Sequence, residues 1–332
     1  MILRAVLDGC KRSVSAPAIL IGSFVVTIAL TLPLALTLRG MLRGHLGNSL
    51  VAEQAADAVN DDWWAEFQAQ SAGLGTTFTP SVIGFAAVLN NVSSIADAQT
   101  QIAPVAGAAG AYLLVWTFLS GGIIDRYARQ RPTRAHGFFA ASGVFFFRFL
   151  RLAVAAGLAY WFLFAVVHPL LFDDWFTTAT RDLSVERTAF VWRIALYLVF
   201  GVMLAVVNVW IDYAKIRAVV EDRRSMLVAL VASARFLIRH PVRVFGVYLL
   251  NSLLFLVVIA VWALVAPGAG GSGASMWIGF LVAQAYIVAR LFLKLEFVAS
   301  QTALFQASLA HAAYTAAPVP VWPESPAAEV IT

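Results

Sequence analysis

The stretch RVFGVYLLNSLLFLVVIAVWALVA, residues 243–266, decides the fold class: its only charge is Arg243, at the first position. The hydrocarbon core of a bilayer is spanned by about 20 apolar residues in a helix. A run this apolar can stay in lipid only if every backbone group is paired within the segment, so it must be helical. The same test, carried outward along the chain, finds five further runs: 17–38, 103–124, 152–172, 189–211 and 276–297. Composition agrees. Of 332 residues, 61 % are hydrophobic and 12 % charged, whereas a soluble domain devotes about a quarter of its residues to charge. This excludes an ordinary soluble enzyme and a disordered chain. The expected class is an all-α integral membrane protein with six transmembrane helices and interfacial amphipathic helices. It forms one membrane domain over 1–317, followed by a disordered cytoplasmic tail, 318–332.

The N-terminus, with Arg4, Lys11 and Arg12 before Pro17–Leu38, imitates a signal peptide. Its apolar core is longer than a signal sequence uses and no small-residue cleavage site follows, so it reads as an uncleaved first span. Between spans, 16 Lys and Arg lie in the N-terminal stretch, 125–151 and 212–243, against four (Arg39, Arg43, Arg181, Arg187) on the other side. Positive-inside sorting then places both termini in the cytoplasm of a cell whose inner (plasma) membrane holds the chain. Arg39 and Arg43 dissent from that sorting. The outer segment 39–101 is too long for a turn. It reads as a cap with a short helix over 49–60, the aromatics Trp63 and Trp64, and a second helix after Pro80 carrying Phe85, Leu89, Val92 and Ala96 at helical spacing.

A repeat runs through the spans. Ile124-Asp125 and Ile211-Asp212 are 87 residues apart, as are Arg148-Phe149-Leu150 and Arg235-Phe236-Leu237, and Leu295-Glu296 closes the sixth span in the same manner. Before the third and fifth spans lies an apolar stretch too short to cross. In 216–237, Ile216, Val219, Leu227, Leu230, Ala234 and Leu237 form its apolar stripe, and residues 2–14 look like a further copy. The expected unit is an interfacial helix, a span outward and a span back ending in an acid, repeated three times as a helical hairpin. The stretch Ala218-Val219-Val220-Glu221-Asp222-Arg223-Arg224, with the amphipathic run into Arg235, resembles a family of six-span bacterial membrane proteins related to the membrane domain of some glycerophosphodiester phosphodiesterases. The resemblance implies a bacterial membrane location. The hydrolase domain of the fused relatives has no counterpart in these residues, so their chemistry does not carry over.

Motifs for catalysis are missing from the sequence. The five histidines are scattered, and there is no HExxH, GxSxG, Walker A or GxGxxG pattern. The single Cys10 can neither close an internal disulfide nor hold a metal alone. No catalytic residue, metal, cofactor or nucleic-acid partner is expected. Ionisable groups inside spans are the default functional candidates, since each is costly in lipid. Arg290 and Lys294 stand at i, i+4 on the sixth span. If the repeat holds, Asp125, Asp212 and Glu296 should gather at the cytoplasmic boundary. Arg290 then either forms a relay or gate with these acids or pairs with Asp212 or Asp125 to pin neighbouring helices. Trp63, Trp64, Arg235 and Arg239 are the expected lipid or partner contacts, with membrane lipids (anionic ones included), other membrane subunits or a separate ATPase as partners. The functional expectation is a non-enzymatic permease-like or lipid-handling membrane subunit; the alternative is a structural or accessory subunit of a larger membrane complex.

Overall fold

The computed structural model describes residues 1–47, 49–57, 60–79, 84–268 and 273–311, with side chains left out at 55–57, 310 and 311. The expected tail, 318–332, lies outside the described residues. Every regular element among them is helical. Six helical segments are long and apolar enough to span a membrane: 17–46, 103–129, 135–180, 186–220, 241–265 and 274–309. All six runs found in the sequence therefore form spanning helices.

A short helix, α1 (Ile2–Val14), precedes the first span α2 (Pro17–Leu46). At 1.5 Å rise per residue, α2 is about 45 Å long, so Arg39 and Arg43 ride its last turns instead of a loop. The cap follows as α3 (Val51–Asp57), α4 (Asp61–Gln70), a 3₁₀ turn at Gly73–Thr77, and α5 (Gly84–Ala96). Asn60 starts α4 by accepting the Trp63 backbone N–H at 2.9 Å, as an N-cap should. The second and third spans are α6 (Ala103–Arg129) and α7 (Ala135–Phe162). The third continues through two π-helical turns, Leu163–Val167 and Leu170–Trp175, into α8 (Phe176–Thr180). Pro169 stands between the wide turns and has no N–H for a regular i→i−4 bond, which accounts for widening there. The chain returns as α9 (Glu186–Val220), α10 (Met226–Arg239), α11 (Pro241–Val265) and α12 (Ala274–His311).

Two features depart from the sequence reading. No separate helix precedes the third span, because 135–162 runs unbroken. On α10 the buried positions are Met226, Ala229, Leu230, Ser233, Phe236 and Leu237, while Leu227 is 74 % exposed on the opposite side. Both faces of this helix carry apolar residues, so hydrophobicity alone does not identify the inner one.

The three returning helices α6, α9 and α12 touch one another pairwise and form the centre. The outgoing helices lie outside them, α2 against α6 and α12, α7 against α6 and α9, and α11 against α12. The largest buried cluster sits toward the end of the molecule that carries the basic segments, joining Ala5, Val6, Phe149, Val209, Ile216, Phe236, Val244 and Leu304. Toward the cap the spans bury little, and α2 buries only Ser23. Their outward faces are the apolar surface that lipid covers.

Close approach at the basic end depends on glycine. A Cβ on Gly9 of α1 would stand 2.6 Å from Glu296 Oε1 and 2.7 Å from the Ser300 nitrogen on α12. A Cβ on Gly122 of α6 would stand 2.7 Å from the Phe138 carbonyl of α7. At the other end the cap ties the hairpins together. The Trp262 indole N–H donates to the Gly84 carbonyl at 3.4 Å, His168 Nε2 to the Ala96 carbonyl at 2.9 Å, and the Tyr197 hydroxyl to Asp97 Oδ1 at 2.5 Å.

Candidate functional site

Where α6, α9 and α12 meet, a cavity of about 30 Å³ is walled by Trp116, Ser120, Ile123 and Ile124 of α6, Asp212, Lys215 and Ile216 of α9, and Val298 and Gln301 of α12. The helices are apolar enough to partition into lipid, yet polar side chains face this point from all three of them. Lys215 Nζ donates to Asp212 Oδ1 at 3.1 Å, one turn apart on α9. Ser120 donates its hydroxyl to its own helix, to the Trp116 carbonyl at 2.6 Å. Gln301 is fully buried, and neither its amide oxygen nor its amide nitrogen has a hydrogen-bond partner among the described residues. An unmet buried amide costs roughly 1–3 kcal/mol per group. By size, the cavity has room for about two water-sized occupants. It is therefore roomy and polar enough to satisfy Gln301 with something other than protein.

Two further cations follow along α12 from Gln301, outside the cavity lining. Lys294 Nζ lies 3.6 Å above the Trp116 ring and donates to the Tyr112 hydroxyl at 3.1 Å. Arg290, one turn earlier, sits 5.5 Å above the Tyr286 ring, which itself stacks on Trp262 at 4.4 Å. Cation–π contact of this kind contributes more as the cation is desolvated. Among the described residues neither Arg290 nor Lys294 has an acidic partner within ion-pair distance.

The three acids expected to converge do not bond to one another. Asp125 pairs with Arg129 at 2.7 Å, Asp212 with Lys215, and Glu296 turns away beneath α1, where the Ser13 hydroxyl donates to it at 3.4 Å. Of the four residues read as an intramembrane polar site, Asp212 alone lines the cavity. The expected pairing of Arg290 with Asp212 or Asp125 is absent. Gln301, Lys215 and Trp116 went unread as site residues in the sequence. Only the helical register links them to it: Gln301 stands seven residues after Lys294, two turns on along nearly the same face.

Trp63 and Trp64 belong to a small aromatic core inside the cap. Trp63 donates to His45 Nδ1 at 3.0 Å and stacks on Phe67 at 5.6 Å, and Trp64 donates to the Phe78 carbonyl at 2.9 Å. Both indole N–H groups are satisfied, that of Trp63 by the last turn of α2 and that of Trp64 within the cap. Arg235 and Arg239 project from the outer face of α10, beside the exposed Val228, Val231 and Ile238. The stretch 218–224 ends α9 and turns into α10. Glu221 binds Arg217 at 2.9 Å and also Arg223, while Asp222, at φ +46°, binds Arg148 of α7 at 2.7 Å. Among the described residues no group of three His, Cys, Asp or Glu is placed to hold a metal.

Fold and site together define a class, an all-helical membrane protein with six spanning helices, short helices at its basic end and a polar cavity among its returning spans. No family model, curated protein or solved structure matches the chain.

Proposed function

We propose that this chain is a permease-like inner-membrane protein that passes a small polar or ionic solute through the junction of α6, α9 and α12, with both termini cytoplasmic. The observation that carries this reading is Gln301, whose buried amide faces a cavity with no partner among the described residues. Repeated hairpins often place a solute site where the repeats meet. A threefold hairpin arrangement belongs to this reading and has support at the basic end. Arg12 of α1 donates to the Tyr127 carbonyl near the end of α6 at 2.9 Å, and Arg148 of α7 to the Arg223 carbonyl just past the end of α9 at 3.3 Å. In these two copies an arginine, ahead of the first outgoing span and within the third, holds the end of the helix that returns from it, while Arg235, at the matching place in the remaining copy, is exposed.

Cavity size favours a small solute over a lipid headgroup, since about 30 Å³ takes about two water-sized occupants, such as a small ion and one water, and no more. A docking subunit, the alternative, would use cap residues other than the Trp63 and Trp64 indole N–H groups. The test is the permeability of proteoliposomes containing the full chain to a panel of small neutral solutes and monovalent ions. Flux above protein-free vesicles is expected, returning to their level in Gln301→Leu while insertion and melting stay intact. Vesicles as tight as the protein-free control, or undiminished flux in Gln301→Leu, overturn the reading.

A further inference from the structure

Resting on the permease reading, we infer that the solute of this cavity is a small inorganic anion of about halide size. Charge is the first ground. The cavity is lined by one cation, Lys215, and one carboxylate, Asp212, and Lys294, resting on the lining residue Trp116, adds a second cation beside it. Asp212 already accepts from Lys215, and the other two acids at this level are engaged elsewhere, Asp125 by Arg129 and Glu296 beneath α1. Lys294 and Arg290 rest on aromatic rings and not on acids. Lys294 is therefore a positive charge with no acidic partner among the described residues inside a span, where it is costly to keep. Rings of Lys and Arg are what anion pathways use.

The donor set is the second ground. Gln301 offers two amide N–H groups with no acceptor, and the Lys215 ammonium lines the same space. An anion seated there would take a hydrogen bond from each. A water in the remaining volume would donate to the unpartnered Gln301 oxygen, so the one occupancy satisfies the whole amide. A metal cation is disfavoured on the same geometry. It would sit beside an ammonium, with one carboxylate already engaged, and like charges at such distances repel strongly in a low dielectric. Size is the third ground: the cavity excludes a phosphate-bearing headgroup but accepts an ion close to water in volume.

The experiment uses the purified full chain and chloride as probe. Thermal melting in potassium chloride is compared with potassium gluconate at constant ionic strength, which reads binding. The reversal potential of the protein in planar bilayers under a potassium chloride gradient reads selectivity. Melting temperature is expected to rise saturably with chloride in the wild type, and the rise to vanish in both Gln301→Leu and Lys215→Met. The reversal potential is expected near that of chloride, with chloride preferred over potassium by at least about tenfold, the worth of one discriminating contact. A chloride-dependent rise without conductance keeps the anion site and overturns the transport reading. A conductance that reverses at the potassium potential and is lost in Asp212→Asn keeps transport and overturns the anion. Neither a rise nor a conductance overturns both. A chloride effect that survives in both variants overturns the site.

Discussion

Glu296 and Gln301, five residues apart on α12, are both fully buried, and the chain treats them differently. Glu296 lies under the short helix α1, with room made for it by the missing side chain of Gly9. One oxygen accepts from Ser13, and the Cys10 thiol lies beside the carboxylate. Its neighbour Cys10, outside the spans, has its thiol pushed above the ordinary range, first by burial and then by the Glu296 carboxylate. Gln301 faces the cavity instead, so its need is met only by an occupant. At the opposite end Asp97 closes the contact between the cap and α9. The hydrogen bond from the Tyr197 hydroxyl, with help from Ser93 and Arg193, holds its carboxyl below the usual carboxylate range against the opposing effect of burial. A carboxylate depressed in the folded state adds stability above its unfolded value, and that stability is lost as pH falls through the folded value. Protection of the α5 amides, corrected for the pH dependence of intrinsic exchange, should therefore be high at neutral pH and fall below about pH 4. In Asp97→Asn this acid step should be absent.

At the scale of elements, glycine separates packed faces from lipid-facing ones. Gly9, Gly121 and Gly122 each sit where a Cβ would meet a neighbouring helix closer than 3 Å, whereas nothing lies within 4 Å of a Cβ at Gly107 or Gly110 on α6. All four α6 glycines look alike as candidates for close packing in the sequence, and only two serve it. Gly9→Ala should lower stability by about 1–3 kcal/mol, the usual cost of forcing atoms into a filled contact, seen as a lower melting temperature in detergent. Gly107→Ala and Gly110→Ala should leave it unchanged or raise it slightly, because alanine is the better helix former. An unchanged Gly9→Ala would show that α1 does not rest on α12 as described.

For the whole molecule, the dense core gathers at the basic end, where the short helices α1 and α10 lie against the extended ends of α12 and α9. Their other faces mix apolar and basic side chains: Leu3, Arg4, Leu7, Lys11 and Val14 on α1, and Leu227, Val231, Arg235, Ile238 and Arg239 on α10. Such a face suits the plane between headgroups and acyl chains, where each basic residue near an anionic surface contributes roughly 1 kcal/mol. Replacing Arg235 and Arg239 together by Glu should therefore cut the retention of anionic lipid in native mass spectrometry, with zwitterionic lipid unaffected. Equal retention of both lipid types by wild type and variant would assign α10 to a protein partner instead.

Membrane class, six spans and their approximate limits were all legible in the sequence, because burying backbone in hydrocarbon demands an unbroken apolar helix of fixed length, a requirement each segment meets alone. The acid that ends each return span was legible for the same local reason. The site was legible only in part. Asp212, Arg290 and Lys294 stand out as charges inside spans, but the apolar background does not say which helix face each one shares. Gln301 is one amide among several, and it matters because α6, α9 and α12 leave it a cavity and no partner. Tertiary structure also gave Asp125, Asp212 and Glu296, which sequence position alone had grouped, different partners, and turned Leu227 outward. In lipid both faces of a helix can be apolar, so hydrophobicity sets which segments enter the membrane, and packing between helices decides which side chains meet.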